Sequence, residues 1–222
     1  MSRRELRDGL LAEYMENETG THSDKTHLRA KSVLGLGRNC GFNEIHAMRV
    51  LKLTAELFDS AAQSGLHFHD SDNREMIGYA AILHDIGMLL SYENHHENSY
   101  YFIKNAGLQG FSREEVSIMA TDTFFHRKHV PTDKYKDFLG LDEESMETVK
   151  VHSTILKIAE SLDRSHSGLI RKAEFRNASG GEVILDISWE YPCELELWGL
   201  SKHLKTFTKV FGRRLIPKLL KS

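Results

Sequence analysis

The stretch Ala80-Ala81-Ile82-Leu83-His84-Asp85-Ile86-Gly87 constrains this chain more than any other. Four apolar residues run directly into a neighbouring His and Asp, and glycine follows soon after. If Arg74 to Leu83 is a helix, His84 and Asp85 leave its C-terminal turn about 100° apart. Two such side chains can grip one cation from two directions, or bracket a metal pair with the carboxylate as bridge. Apolar neighbours then exclude water and hold the ligands still. The pair gains force from any other His and Asp residues that a helical fold brings to the same place.

Histidine is the unusual residue: eight of the thirteen lie between His46 and His129. The pattern around them is helical. A short amphipathic helix is predicted over residues 3–14, a loop over 16–24, and a helix from about Lys25 to Arg38. Asn43 is a good N-cap for a helix whose apolar stripe includes Ala47, Val50, Leu51 and Phe58. Residues 91–98 read as irregular, with a helix from Ser99 to Asn105. Ser112 with Glu115 forms a capping box that starts a helix reaching about His126. Pro131 and Asp133 mark a loop, and a last long helix runs from about Glu143 to Leu162. The texture changes near Leu169. Residues 173–177 and 182–189 alternate as strands around Gly180-Gly181, and 194–198 reads as a third strand. Leu200 to Phe211 looks helical, with a short apolar tail after it. Trp189 and Trp198 are expected to pack this small segment. The chain is thus expected to be mainly α over residues 1–168, with a small α+β segment at 169–222.

Composition excludes several classes. A net charge of −3 gives no basic footprint for a nucleic-acid duplex. No apolar run approaches the roughly 20 residues that span a bilayer. The N-terminus has charged residues and no apolar core, unlike a secretory signal. Cys40 and Cys193 are far apart and form no thiolate zinc motif, which fits a reducing cytoplasm.

His46, His84, Asp85, His96, His126 and Asp163 all fall near predicted helix ends or adjoining loops, where helices can converge on one pocket. Four imidazoles and two carboxylates form a nitrogen/oxygen set suited to iron, manganese or zinc. A pair of such ions roughly 3.5–4 Å apart can clamp a phosphoryl group and lower the pKa of a bridging water. The order His…His-Asp…His…His…Asp resembles the HD-domain superfamily of metal-dependent phosphohydrolases. Four stretches are similar to the C-terminal HD-type domain of the exopolyphosphatase/guanosine pentaphosphate phosphatase family. They are Leu83-His84-Asp85-Ile86-Gly87, Asn94 to Ser99, Gly110-Phe111-Ser112-Arg113-Glu114-Glu115 and Phe125-His126-Arg127-Lys128. Glu194-Leu195-Glu196-Leu197-Trp198-Gly199-Leu200 resembles that family's C-terminal tail, and Arg7-Asp8-Gly9-Leu10-Leu11 the end of its preceding ATPase-like domains.

The resemblance implies an HD-domain helical bundle and a divalent-metal cofactor of one or two ions. His46, His84, Asp85 and Asp163 match the core ligands, and His96 and His126 the histidines that support a second metal. His95, next to His96, is the alternative ligand or a substrate contact. Arg127, Lys128 and Arg164 are candidates for holding phosphate oxygens. The implied activity is hydrolysis of a phosphate ester or anhydride, a nucleotide ahead of an inorganic polyphosphate, by metal-bound hydroxide that Asp85 orients or deprotonates. A homodimer is also implied. The family's own polyphosphate-hydrolysing site lies in N-terminal domains for which this chain has no room. The competing expectation is therefore a non-catalytic module that senses polyphosphate or a guanosine alarmone, or mediates dimerisation.

Overall fold

The computed structural model describes residues 24–128 and 139–221. The helix expected at 3–14, nearly all of the loop at 16–24, His129, and the loop at Pro131 and Asp133 lie outside those residues. Among the described residues six helices form the body: α1 (Asp24–Asn39), α2 (Glu44–Gln63), α3 (Ser71–Leu83), α4 (His95–Asn105), α5 (Arg113–Phe125) and α6 (Glu143–Ser161). They are followed by β1 (Ile170–Asn177), β2 (Glu182–Trp189), α7 (Glu194–Ser201), α8 (Leu204–Phe211) and β3 (Arg214–Lys221). The chain is mainly α with a small C-terminal α+β segment, as its patterning predicts. Among the described residues no helix is long and apolar enough to cross a membrane.

Local chemistry fixes several boundaries. The Asn43 side chain accepts from the His46 N–H and starts α2. Asp70 does the same for α3 through Asn73 N–H. Ser112 and Glu115 complete a reciprocal capping box at α5. Two expectations fail, and the apolar tail gains an assignment. Residues 95–98 are not irregular, because α4 begins at His95 rather than Ser99. Residues 194–198 form the start of helix α7, not a strand. The apolar tail is strand β3, paired in parallel with β2 from Glu182–Arg214 to Trp189–Lys221.

The sheet order is β1-β2-β3, with β1 antiparallel to β2. The outer edge of β1 lies along α2, whose polar side chains satisfy its backbone. Phe175 N–H donates to Ser60 Oγ at 2.9 Å, and Lys52 Nζ donates to the Arg171 carbonyl at 2.8 Å. This leaves the edge unable to pair with another chain. One apolar core runs from Val33 and Leu34 through Phe58, Ile77 and Ile158 to Ala173 and Leu185. Where α1, α3 and α5 meet, the buried Arg29 guanidinium donates to Glu75 (2.5 Å), to Glu115 and to the Gly110 carbonyl (2.8 Å). That node fixes the two helices whose C-terminal ends carry His84-Asp85 and His126.

Candidate metal centre

Asp85 stands at the centre of the convergence. Its Oδ2 lies 3.4 Å from His84 Nε2 and 3.9 Å from His46 Nε2. Its Oδ1 lies 3.2 Å from His95 Nε2 and 3.6 Å from His126 Nε2. Two three-residue groups, His46-His84-Asp85 and Asp85-His95-His126, therefore share one carboxylate, each with its ligand atoms close enough to hold an ion. The five side chains come from α2, the end of α3, the first turn of α4 and the end of α5.

The outward nitrogen of each ring decides what the inward one does. His46 Nδ1 is 2.8 Å from Asp163 Oδ2, and His84 Nδ1 is 2.8 Å from the Ala81 carbonyl. His95 Nδ1 meets the Tyr92 carbonyl at 2.6 Å, and His126 Nδ1 meets the Thr123 carbonyl at 2.5 Å. Carboxylates and carbonyls accept, so all four Nδ1 atoms carry the proton and donate. In the neutral, ligating form of the rings all four Nε2 atoms then turn lone pairs towards Asp85. His46 and His84 bring theirs within 3.3 Å of each other, and His95 and His126 within 3.2 Å. Two lone pairs face each other stably when a cation lies between them. Fixing a ligating imidazole from behind in this way is how a protein orients it on a metal.

Electrostatics support the same arrangement. Burial opposes the charge on Asp85, but the His84 and His126 imidazoles outweigh it and hold the carboxyl well below the usual range. Burial pushes His126 down to about 3, so it is neutral, the ligating form, at neutral pH.

The residues singled out in the sequence divide among three places. His46, His84, Asp85 and His126 meet in the shared groups. Asp163 sits behind His46 and also accepts from Gly168 N–H at 2.8 Å. His96 belongs to neither group: its two ring nitrogens are buried without a hydrogen-bond partner, and its ring tilts against Phe124 at 5.7 Å. Its neighbour His95 is the residue that reaches Asp85. The three cations are held by two carboxylates. Arg127 Nη1 and Arg164 Nη1 approach the same oxygen of Glu160, at 3.6 and 3.7 Å, and Lys128 Nζ lies 3.2 Å from Glu97.

Sequence reasoning missed two neighbours. Burial opposes charge on His84, but the adjoining Asp85 carboxylate raises its pKa, and Glu160, in the last turn of α6, adds a smaller effect of the same sign. The His166 ring stacks on His46 at 3.7 Å with an interplanar angle of 7°. Its backbone is left-handed at φ 56, uncommon for a residue with a side chain. The available signal was the polar run Ser165-His166-Ser167-Gly168 straight after Asp163-Arg164. A recess of about 330 Å³ opens between Phe42, Ile82, Met88, Leu89 and His166 and reaches His46, His84 and Asp85.

Comparison with known proteins gives two findings. Residues 28–203 match the family described as Ppx/GppA phosphatase, domain III. The guanosine-5'-triphosphate,3'-diphosphate pyrophosphatase of Pseudoalteromonas translucida is 31% identical over 94 residues. That match covers 42% of this chain and 18% of the relative, so the chain corresponds to less than a fifth of that protein's length.

Proposed function

This chain belongs to the Ppx/GppA phosphatase, domain III family, and from that premise we propose that it is a divalent-metal phosphohydrolase of the HD type. One observation carries the reading: the Nε2 atoms of four histidines converge on the two oxygens of one partly buried carboxylate. Neutral imidazole and carboxylate suit iron, manganese or zinc, and Asp85 would serve as the bridge of a pair. Such a pair supplies charge neutralisation at phosphorus and an activated water nucleophile at neutral pH.

The protein's own groups do the rest. Asp163 holds the His46 ring, while the Ala81, Tyr92 and Thr123 carbonyls hold the other three. Asp85, ionised at neutral pH, orients the attacking water or accepts its proton. Arg127, Arg164 and Lys128 face the non-bridging phosphate oxygens, exchanging Glu160 and Glu97 for substrate. The apolar recess suits the organic part of a nucleotide better than an inorganic chain.

A non-catalytic sensing or dimerisation module is the second reading, favoured by the match to domain III of a phosphatase. Metal content separates the two. Elemental analysis of freshly purified protein is expected to give about two ions per chain, matching the two ligand groups. Phosphate release from a nucleotide panel should accompany it. His84→Ala and Asp85→Ala should lose metal with helix content nearly unchanged. Metal retained in both variants would sink the site. Absence of metal, unrelieved by added iron, manganese or zinc, would leave the sensing module.

A further inference from the structure

His166 stacks on a residue of the metal centre but belongs to neither ligand group. Its left-handed backbone is enforced from both sides. The His166 N–H donates to the Asp163 carbonyl at 2.8 Å, and the His166 carbonyl accepts from Arg49 Nη1 at 2.7 Å. Two residues on, Gly168 N–H donates to Asp163 Oδ1 at 2.8 Å. Glycine or asparagine adopts such a conformation more easily. Strain of this kind is kept where a particular side chain has to be held.

The proton on that side chain can be placed. Asn43 Oδ1 accepts from His46 N–H at 3.2 Å, which turns the amide nitrogen towards His166 Nδ1, 3.4 Å away. An amide nitrogen donates and does not accept, so Nδ1 accepts and the ring proton sits on Nε2. This is the reverse of the four histidines around Asp85. Among the described residues, Asn43 is the hydrogen-bond partner of the His166 ring, and Nε2 has none.

The same ring lines the recess of about 330 Å³ that reaches His46, His84 and Asp85. Phe42, Ala47, Ile82, Met88 and Leu89 give the recess apolar walls. Phe42 is seated against α1, where a Cβ on Gly37 would come within 3.0 Å of its ring. Apart from the metal centre, the polar side chains of the lining are Cys40, Asn43 and His166. A thiol is a weak donor, and the Asn43 amide is engaged at both its oxygen and its nitrogen. His166 Nε2–H is therefore the strong donor of an otherwise apolar recess.

We propose that His166 reads the base of a nucleotide substrate, its Nε2–H donating to a ring nitrogen or carbonyl oxygen of the base. This rests on the hydrolase reading, which puts the phosphate at the metal centre and leaves the recess for the nucleoside. The recess lies at the small end of ligand sites, which hold about 300–1,000 Å³. A flat base buries apolar faces against such walls and offers acceptors along its edge. A sugar there would leave hydroxyls buried without partners, which is costly.

The test is calorimetric titration of metal-free full-length protein with adenosine, guanosine, cytidine and uridine 5'-monophosphates and with ribose 5-phosphate. At least one nucleotide should bind wild type more tightly than the sugar phosphate does. His166→Gly relaxes the backbone and removes the ring. It should weaken that nucleotide about fivefold, the loss of one neutral hydrogen bond, and leave ribose 5-phosphate unchanged. His166→Asn tolerates the left-handed backbone, returns an N–H donor and should recover part of the loss. In the metal-loaded enzyme His166→Gly should raise KM for the nucleotide with kcat little changed. A ring that merely supports His46 would cost His166→Gly its metal, yet leave the preference for nucleotide over sugar phosphate intact. That outcome overturns the proposal. Equal weakening of both ligands also overturns it, because the acceptor would then lie on the sugar. The titration needs no metal, so it stands apart from elemental analysis. Bound metal with no preference for a nucleotide keeps the hydrolase and removes this role; the preference without any metal does the reverse.

Discussion

Lys157 shows how a single buried charge can cost stability. Its folded pKa of about 8 lies below the ordinary 10.5. The folded chain therefore sheds this proton first, and between those values the unfolded chain holds more protons. Stability must rise with pH across that window, and the full cost of the buried charge is present below it. A shift of this size corresponds to roughly 3 kcal/mol. Lys157→Met removes the cost, so at pH 7 the variant should be the more stable protein, and the gap should shrink between pH 8 and 10.5. Urea denaturation of both proteins across that range cancels the surface lysines and tyrosines that titrate there too. A gap independent of pH would show that the ammonium is compensated within the fold. His46 makes the complementary case: Asp163 fixes its tautomer and spends no net stability on a charge left unpaired.

At the scale of elements, the centre depends on one close packing. A Cβ on Gly87 would lie 2.0 Å from the His95 carbonyl oxygen and 2.5 Å from Ser99 N. The first turn of α4 thus rests directly on the short 3₁₀ turn Ile86–Leu89. Ser99 Oγ locks the contact, accepting from Gly87 N–H at 2.9 Å and donating to the His84 carbonyl at 2.8 Å. Gly87→Ala should push α4 away from Asp85. We expect a loss of about 1–3 kcal/mol from overpacking, and selective loss of the ion held with His95 and His126. Denaturation midpoints and metal per chain check both; full metal content in a folded variant would refute the coupling. The same junction shows what the sequence could convey. Asn43 and the Ser112–Glu115 box act within one turn, so the starts of α2 and α5 were legible. Asn94 makes no capping bond, and the buried face of α4 is built from His95, His96, Ser99 and Ile103, where one apolar residue near the far end gives no period to read across the first turn. Adjacent helical residues point about 100° apart, so only the placement of α4 against Gly87 tells His95 from His96. Glu194 to Trp198 alternates over too few residues to separate strand from helix. β3 carries Pro217 and exists through pairing with a distant strand, at a sheet edge where proline is tolerated.

Across the whole molecule, the ligand groups tie together elements that otherwise meet through apolar packing. His46 comes from α2, which also seats the sheet; His84 and Asp85 close α3; His95 opens α4; His126 closes α5; and Asp163 follows α6. Order among the histidines and aspartates announced this convergence, since each lay at a predicted helix end. Unfolding must break the centre, because no short segment holds a complete ligand group. Metal that binds the folded chain alone therefore stabilises it by mass action, by about 4 kcal/mol at a free concentration a thousandfold above Kd. For a chain of this size each kcal/mol moves Tm by about 2–4 °C. Chelation should accordingly lower Tm by roughly 8–16 °C, restored by adding back the ion found in the purified protein. Asp85→Ala removes the shared carboxylate from both groups, so its Tm should be indifferent to chelator. The Arg29 node lies away from the centre, and Glu75→Gln should lower Tm with and without metal alike, leaving the chelator shift intact. Equal Tm values for wild type with and without metal would mean that the lone pairs around Asp85 are held by the protein fold and not for an ion.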